Sequence, residues 1–262
     1  MSAIFLDREI VHYEVMGRGR PIIFLHGWVG SWRYWLPTMQ AASAYYRTYA
    51  IDLWGFGDTS KQPLRYSLDF QVQLINSFLD QMGIGRLALI GHGLGAVVAL
   101  LYNQRNPGVV DRLMAIGYPL EEAMLNGRLR ESSPEDLANW LLERNGGTEP
   151  ARVDAPKADP QALQVSINNL STIGVGDLWK QINISCLLVH GQNDPAIEMP
   201  RSEQLAELPE MVHTMVFEQS GHFPMLDEAN KFNRLVNDFL ALDSGESPRH
   251  LQLKEEWKRR VR

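Results

Sequence analysis

The chain has 262 residues, 45% of them hydrophobic and 21% charged, with 25 Lys and Arg against 31 Asp and Glu for a formal net charge of −6. That composition is ordinary for a globular protein, and the length is enough to bury a core without covalent staples. The acidic balance argues against a general nucleic-acid binder, which would carry a basic face. The one cysteine, Cys186, excludes an internal disulfide framework and any multi-cysteine metal site. No stretch approaches the ~20 apolar residues that span a bilayer, and the N-terminal MSAIFLDREI lacks the apolar run of a signal peptide, so a cytoplasmic protein is expected.

Along the chain, residues 3–6 and 9–15 read as a hairpin turning at Asp7-Arg8. After a Gly-rich turn comes the unbroken apolar run 21–25, which suits a strand buried on both faces, and 46–51 is the next strand. Leu68, Val72, Ile75 and Leu79 recur at helical spacing behind Ser67, whose hydroxyl suits an N-cap. Residues 86–90 form a strand and 94–104 a helix; 113–116, 185–189 and 212–217 are further strands, the last followed by a helix over 229–240. Alternation of this kind implies an α/β protein with a mostly parallel central sheet and helices on both faces.

Residues 119–180 break the rhythm with helix-like pieces at 134–144 and 160–171. They read as a small helical cap inserted between the core segments 1–118 and 181–242. Residues 243–262 read as a linker and a basic amphipathic tail over 250–262, in which Leu253, Trp257 and Val261 fall four residues apart. Such a helix packs on its own domain, or serves as a handle for a protein partner or a membrane surface.

Short patterns sit at the ends of the strands. Phe24-Leu25-His26-Gly27-Trp28 closes one, and Asp52-Leu53-Trp54-Gly55-Phe56-Gly57 follows the next. Gly91-His92-Gly93-Leu94-Gly95 makes a strand-to-helix turn, while His190-Gly191-Gln192-Asn193-Asp194 and Ser220-Gly221-His222-Phe223-Pro224 follow two later strands. In this order the patterns resemble the α/β-hydrolase family, over most of the chain. The resemblance implies an α/β-hydrolase fold with carboxylic-ester hydrolysis as its underlying chemistry, and no cofactor. It puts the nucleophile on a strained G-x-S-x-G turn, Asp194 in the place of the triad acid and His222 in that of the base. It also implies an oxyanion hole from the backbone N–H groups of Trp28 and Leu94.

The nucleophile position is Gly93, which has no side chain to attack a carbonyl. The residues therefore imply an acid–base pair and an anion-binding nest with no nucleophile between them. The covalent route is closed, and a triad enzyme without its serine keeps only ~10³–10⁴-fold catalysis over water. No neighbour replaces it convincingly. His92 is expected to point away, Cys186 to be an inert buried thiol, Ser31 to make a local cap, and Asp52 and Asp58 to hold a turn.

Gly91-x-Gly93-x-x-Ala96 also fits the dinucleotide fingerprint, but the acidic residue this pattern wants near the end of the next strand is missing. The seven histidines have no H-x-x-x-H or H-E-x-x-H spacing, so no metal is expected. Trp32, Trp54, Phe56 and, from the insertion, Trp140 are candidates to line an apolar ligand pocket, with plain core packing as the competing role.

Three readings stay open on these residues. The first is a pseudo-hydrolase binding a small apolar ligand or a protein partner. The second is an esterase-like serine hydrolase inactivated by a deliberate Ser→Gly change at residue 93. The third is an enzyme in which His222, oriented by Asp194, acts as a general base.

Overall fold

The computed structural model describes residues 2–251. The apolar stripe expected in the tail, at Leu253, Trp257 and Val261, lies outside the described residues. Eight strands make one sheet: β1 (Ser2–Leu6), β2 (Glu9–Met16), β3 (Arg20–Leu25), β4 (Tyr46–Ile51), β5 (Leu87–His92), β6 (Val110–Ile116), β7 (Ser185–Gly191) and β8 (Val212–Phe217). Their order is β1-β2-β4-β3-β5-β6-β7-β8, and every pairing from β4 onward is parallel. Asp7 and Arg8 both take positive φ, 49° and 71°, as a tight hairpin turn between twisted strands requires. All of β5 and β7 is buried, which is why they read as apolar runs without alternation.

The core helices are α1 (Leu36–Ala42), α2 (Leu68–Met82) and α3 (Leu94–Arg105). Ser67 caps α2 as expected, its hydroxyl accepting from the Phe70 N–H. The segment 32–42 is helical without a helical period in its sequence. Its Trp32–Trp35 stretch forms a short 3₁₀ turn that leads into α1, and the aromatic crowding hides any helical period.

The insertion holds α4 (Arg128–Glu131), α5 (Pro134–Leu141), α6 (Glu149–Asp154), α7 (Pro160–Asn168), α8 (Leu170–Ile173) and α9 (Val175–Leu178). The piece expected to run to residue 144 stops at Leu141, and the one expected over 160–171 is two helices. Leu137, Ala151, Leu163 and Ile167 of this region are buried in the same apolar cluster as the sheet. Three helices complete the set: α10 (Ser202–Ala206), α11 (Pro224–Asp227) and α12 (Ala229–Leu240), the last packed against α1. No helix of the described residues is long and apolar enough to cross a membrane.

Candidate functional site

The turn from β5 into α3 is made at Gly93, with φ +49° and ψ −111°. Its N–H donates to the Ile116 carbonyl at 2.9 Å. The flanking glycines are demanded by backbone. A Cβ at Gly91 would lie 2.2 Å from the Gly95 carbonyl oxygen, and one at Gly95 would lie 2.3 Å from that of Leu25. Gly93 is different: a Cβ there would meet a side chain first, the Trp28 ring, at 3.2 Å from Cε3 and 3.3 Å from Cζ3. The Trp28 indole is buried, and its Nε1–H donates to Ser166 Oγ of α7 at 3.1 Å. The Trp28 ring thus lies tight against the elbow, with its indole N–H tied to α7.

Asp194 and His222, brought from two different loops, do meet. His222 Nδ1 lies 2.8 Å from Asp194 Oδ2, and both side chains are buried. Asp194 Oδ1 accepts from the N–H groups of Ala196 and Ile197, at 2.8 and 3.2 Å, so its carboxylate is held from both sides. A carboxylate facing Nδ1 fixes the tautomer with its proton there, leaving Nε2 as a lone-pair acceptor. No described residue bonds Nε2. The N–H groups of Leu94, at the start of α3, and of Trp28 likewise make no hydrogen bond with a described residue. A helix N-terminus with free N–H groups favours negative charge.

His92, between Gly91 and Gly93, points away from the elbow as expected and joins three loops. The Gly27 N–H donates to Tyr34 Oη at 2.7 Å, and Tyr34 Oη donates to His92 Nδ1 at 3.0 Å. His92 Nε2–H then donates to the His222 carbonyl at 2.9 Å. Burial, with the neighbouring His222 imidazole, holds His92 well below the ordinary imidazole range, so it stays neutral. His26 works in the same way: Nε2 accepts from the Leu53 N–H at 3.0 Å and Nδ1 donates to the Gly27 carbonyl at 2.7 Å. Nothing local in the sequence marks Tyr34 for this role, since His92 lies 58 residues away.

Asp52 is a strut. It accepts from the Trp32 and Asp58 N–H groups, at 2.8 and 2.9 Å, and from His12 Nδ1 at 2.9 Å. His12, Asp52 and Asp58 bring ligand atoms within 4.8 Å of one another, a grouping compatible with a metal ion. With its oxygens taken up by these donors, Asp52 is better accounted for as a turn holder. Ser31 makes the expected cap by accepting from the Arg33 N–H, and it also donates to Asp154 Oδ2 at 2.5 Å. Cys186 is buried and its thiol is pushed far up by desolvation, which leaves it unreactive.

Each of the four rings expected to line a pocket has an imidazole or guanidinium neighbour. Trp32 packs on His12, with ring centroids 5.7 Å apart, and Phe56 packs on His26 at 5.3 Å. Trp54 lies under the Arg65 guanidinium at 5.0 Å and lines a small outer pocket with Leu6 and Phe70. Trp140, half-buried, lies under Arg128 at 4.8 Å. These contacts are of the aromatic and cation–π kinds that help bury such rings. The insertion has its own polar ties: Asp154 accepts from Arg33 Nε at 2.9 Å, Lys157 reaches Asp58 at 2.9 Å, and the Asp159 N–H donates to the Gly55 carbonyl at 2.8 Å.

Comparison with known proteins agrees with this geometry. A model of the alpha/beta hydrolase family matches residues 22–235. The chain is 27% identical over 256 residues to 2-hydroxy-6-oxo-2,4-heptadienoate hydrolase of Pseudomonas putida, covering 87% of this chain and 91% of that protein. It is 26% identical over 258 residues to pimeloyl-[acyl-carrier protein] methyl ester esterase of Aeromonas salmonicida, covering 88% and 99%. Among solved structures it is similar to the N-acyl homoserine lactonase AidH, solved as a serine-to-glycine mutant with N-hexanoyl homoserine lactone. There the TM-score is 0.79 at 18% identity, covering 91% of this chain and 96% of that one. With the family model spanning most of its length and the strand order and loops in agreement, the chain belongs to the alpha/beta hydrolase family.

Proposed function

We propose that this chain is a pseudo-hydrolase, which holds a small apolar ligand bearing an ester-like carbonyl without cleaving it. The observation that carries this reading is the pair Gly93 and Trp28. No oxygen or sulfur stands at the elbow, and the Trp28 ring is closer to a Cβ at residue 93 than ordinary contact allows. Tightness of that kind favours a glycine native to the site over a serine exchanged for it.

The other parts of the site support binding. Two unbonded N–H groups at the start of α3 and in the β3 loop suit a carbonyl oxygen. His222 Nε2 is an acceptor beside them. The ligand class is taken from the relatives: by their names the two hydrolases act on a dienoate and on an acyl methyl ester, and AidH in its glycine form is solved with an acyl lactone. Entry of such a ligand requires Trp28 to swing away and give up Ser166. A protein partner engaged through 250–262 would rest on residues outside those described.

The test titrates the protein with p-nitrophenyl butyrate, following ligand-induced amide shifts and nitrophenolate release together. Saturable shifts at residues 27–28, 93–94 and 222 with release at the background rate are expected. Enzymatic release that dies with His222→Ala would overturn the reading. One observation favours a second reading, the Nδ1–Asp194 contact that leaves Nε2 ready as a general base. It requires His222-dependent exchange of the α-protons of a bound ketone into deuterated water.

A further inference from the structure

At the opposite end of the strands from Gly93 and His222 lies a cavity of about 230 Å³. It is lined where β3, β5 and β6 begin, by Ile22, Leu87 and Ala88, and further by Leu240 at the end of α12 and Ser244 beyond it. The register explains how this end is built. Ile22 pairs with Ala88 and Ala88 with Arg112, so these three side chains stand in one row on one face of the sheet. Two residues back along β3 from Ile22 comes Arg20, on the same face by the two-residue period of a strand, while Arg86 stands in the bend just before β5 and also lines the cavity. Two guanidiniums, of Arg20 and Arg86, thus line the same cavity as the apolar Ile22, Leu87 and Ala88.

The charges at this rim are unequal. Arg20, Arg86 and Arg112 face a single carboxylate, Asp111. Arg112 is buried and fully engaged: its Nη1 donates to the carbonyls of Phe239, Leu240 and Leu242, at 2.9, 3.2 and 2.7 Å, capping the end of α12. Its Nη2 lies 2.8 Å from Asp111 Oδ2, while Arg86 Nη2 lies 2.7 Å from Asp111 Oδ1. Ser244 Oγ also donates to Asp111, at 2.9 Å. Burial works against the Asp111 charge, but the Arg112 and Ser244 bonds outweigh it and keep the carboxyl ionised. Arg86 is thereby anchored yet mostly exposed, and the Arg20 guanidinium has no ion-pair partner among the described residues.

We infer that this end of the sheet is a binding site for a small carboxylate with a short apolar tail. The tail would occupy the Ile22–Ala88–Leu240 floor, and the head would take the planar fork that Arg20 leaves unused, next to Arg86. The volume exceeds the ~150 Å³ that takes a benzene-sized guest and falls below the ~300–1,000 Å³ of drug-sized sites, which suits a tail of about six carbons. The excess of guanidinium over carboxylate selects an anion. This inference is independent of the proposed function, since the two sites lie at opposite ends of the strands.

Hexanoate and 1-hexanol, titrated separately into the ¹⁵N-labelled full chain, test it. Hexanoate is expected to shift amides of Arg20 and Ile22 and those at 86–88, 111–112 and 244, and to bind more weakly as salt rises. Arg20→Gln removes an exposed, unpaired cation, so folding is not at stake; it should weaken hexanoate roughly five- to tenfold and leave hexanol unchanged. Ala88→Leu should fill the floor and weaken both. Three results would overturn the assignment: shifts confined to 26–28, 93–94 and 222, equal affinity for hexanoate in the Arg20→Gln protein, or no shifts at millimolar hexanoate.

Discussion

The Trp28 ring lies tight against the place of a side chain on Gly93, with Cε3 3.2 Å from the position of that Cβ. A Cβ at the nucleophile position therefore requires the ring to give by a few tenths of an ångström, against its bond to Ser166. A residue with a Cβ would also be strained at φ +49°, at a cost of about 1–3 kcal/mol. Gly93→Ser should accordingly lower the melting temperature and yield little esterase activity on its own. Combined with Trp28→Ala, which opens the space, it should release more nitrophenolate than either single change. Full esterase activity in the Gly93→Ser protein alone would show that Trp28 does not obstruct the site.

The three elbow glycines should differ sharply in tolerance. Gly91→Ala and Gly95→Ala drive a methyl group to within 2.2 and 2.3 Å of backbone carbonyl oxygens, which cannot step aside as a side-chain end can. Both should fail to accumulate as folded protein, whereas Gly93→Ala should fold with a moderate loss. Soluble yield and circular dichroism of the three variants decide this, and equal behaviour would contradict it.

Ser166 ties the insertion to the elbow across 138 residues of sequence. Ser166→Ala would leave the Trp28 indole N–H buried without a partner, a loss of about 1–3 kcal/mol. Hydrogen exchange should accelerate in α7 and around Trp28, while the central strands keep their protection. Unchanged exchange in α7 would mean that the bond does not hold the insertion closed.

Stability should fall as the solution is made acidic. Burial lowers the pKa of His26, His92 and His190, the last from 6.5 to about 4, so all three are neutral when folded. Between those values the unfolded chain binds more protons than the folded one, so stability is complete above about pH 6.5 and drains away as pH drops toward 4. His190 alone accounts for about 3 kcal/mol once the pH is below its folded value. His12 acts in the opposite sense. Burial opposes its charge, but the Asp52 bond outweighs this and raises its pKa, so its contribution is present at low pH and fades as pH rises through the folded value. Burial, with Arg249 nearby, also lowers His213, so four depressed imidazoles against one raised predict a melting temperature that declines from pH 6.5 to pH 4; a maximum near pH 5 would refute the balance.

Much of the scaffold was legible because its signals are local. Buried strands such as 21–25, the Ser67 cap and the strand-end loops all lie within a few residues of their cause. The His222–Asp194 pair was legible only through family resemblance, since no spacing joins two loops 28 residues apart. What escaped depends on partners far along the chain. Trp28 was valued for its N–H, yet its ring and its bond to Ser166 define the site. Tyr34 joins Gly27 to His92, and Asp154 joins α6 to Ser31 and Arg33, with nothing in the neighbouring residues to announce either. The neighbours of Trp32, Trp54, Phe56 and Trp140 escaped for a related reason: composition shows that rings are present, while the imidazoles and guanidiniums beside them come from elsewhere in the chain.

The most direct measurement is the rate of p-nitrophenyl butyrate hydrolysis by the unaltered protein, beside its His222→Ala variant. A pseudo-hydrolase with Gly93 at the elbow should give the two proteins the same slow release, near the rate of the buffer. Turnover in the ordinary enzymatic range of ~1–10³ s⁻¹, abolished by His222→Ala, would mean that another group supplies the nucleophile and that the site hydrolyses esters after all.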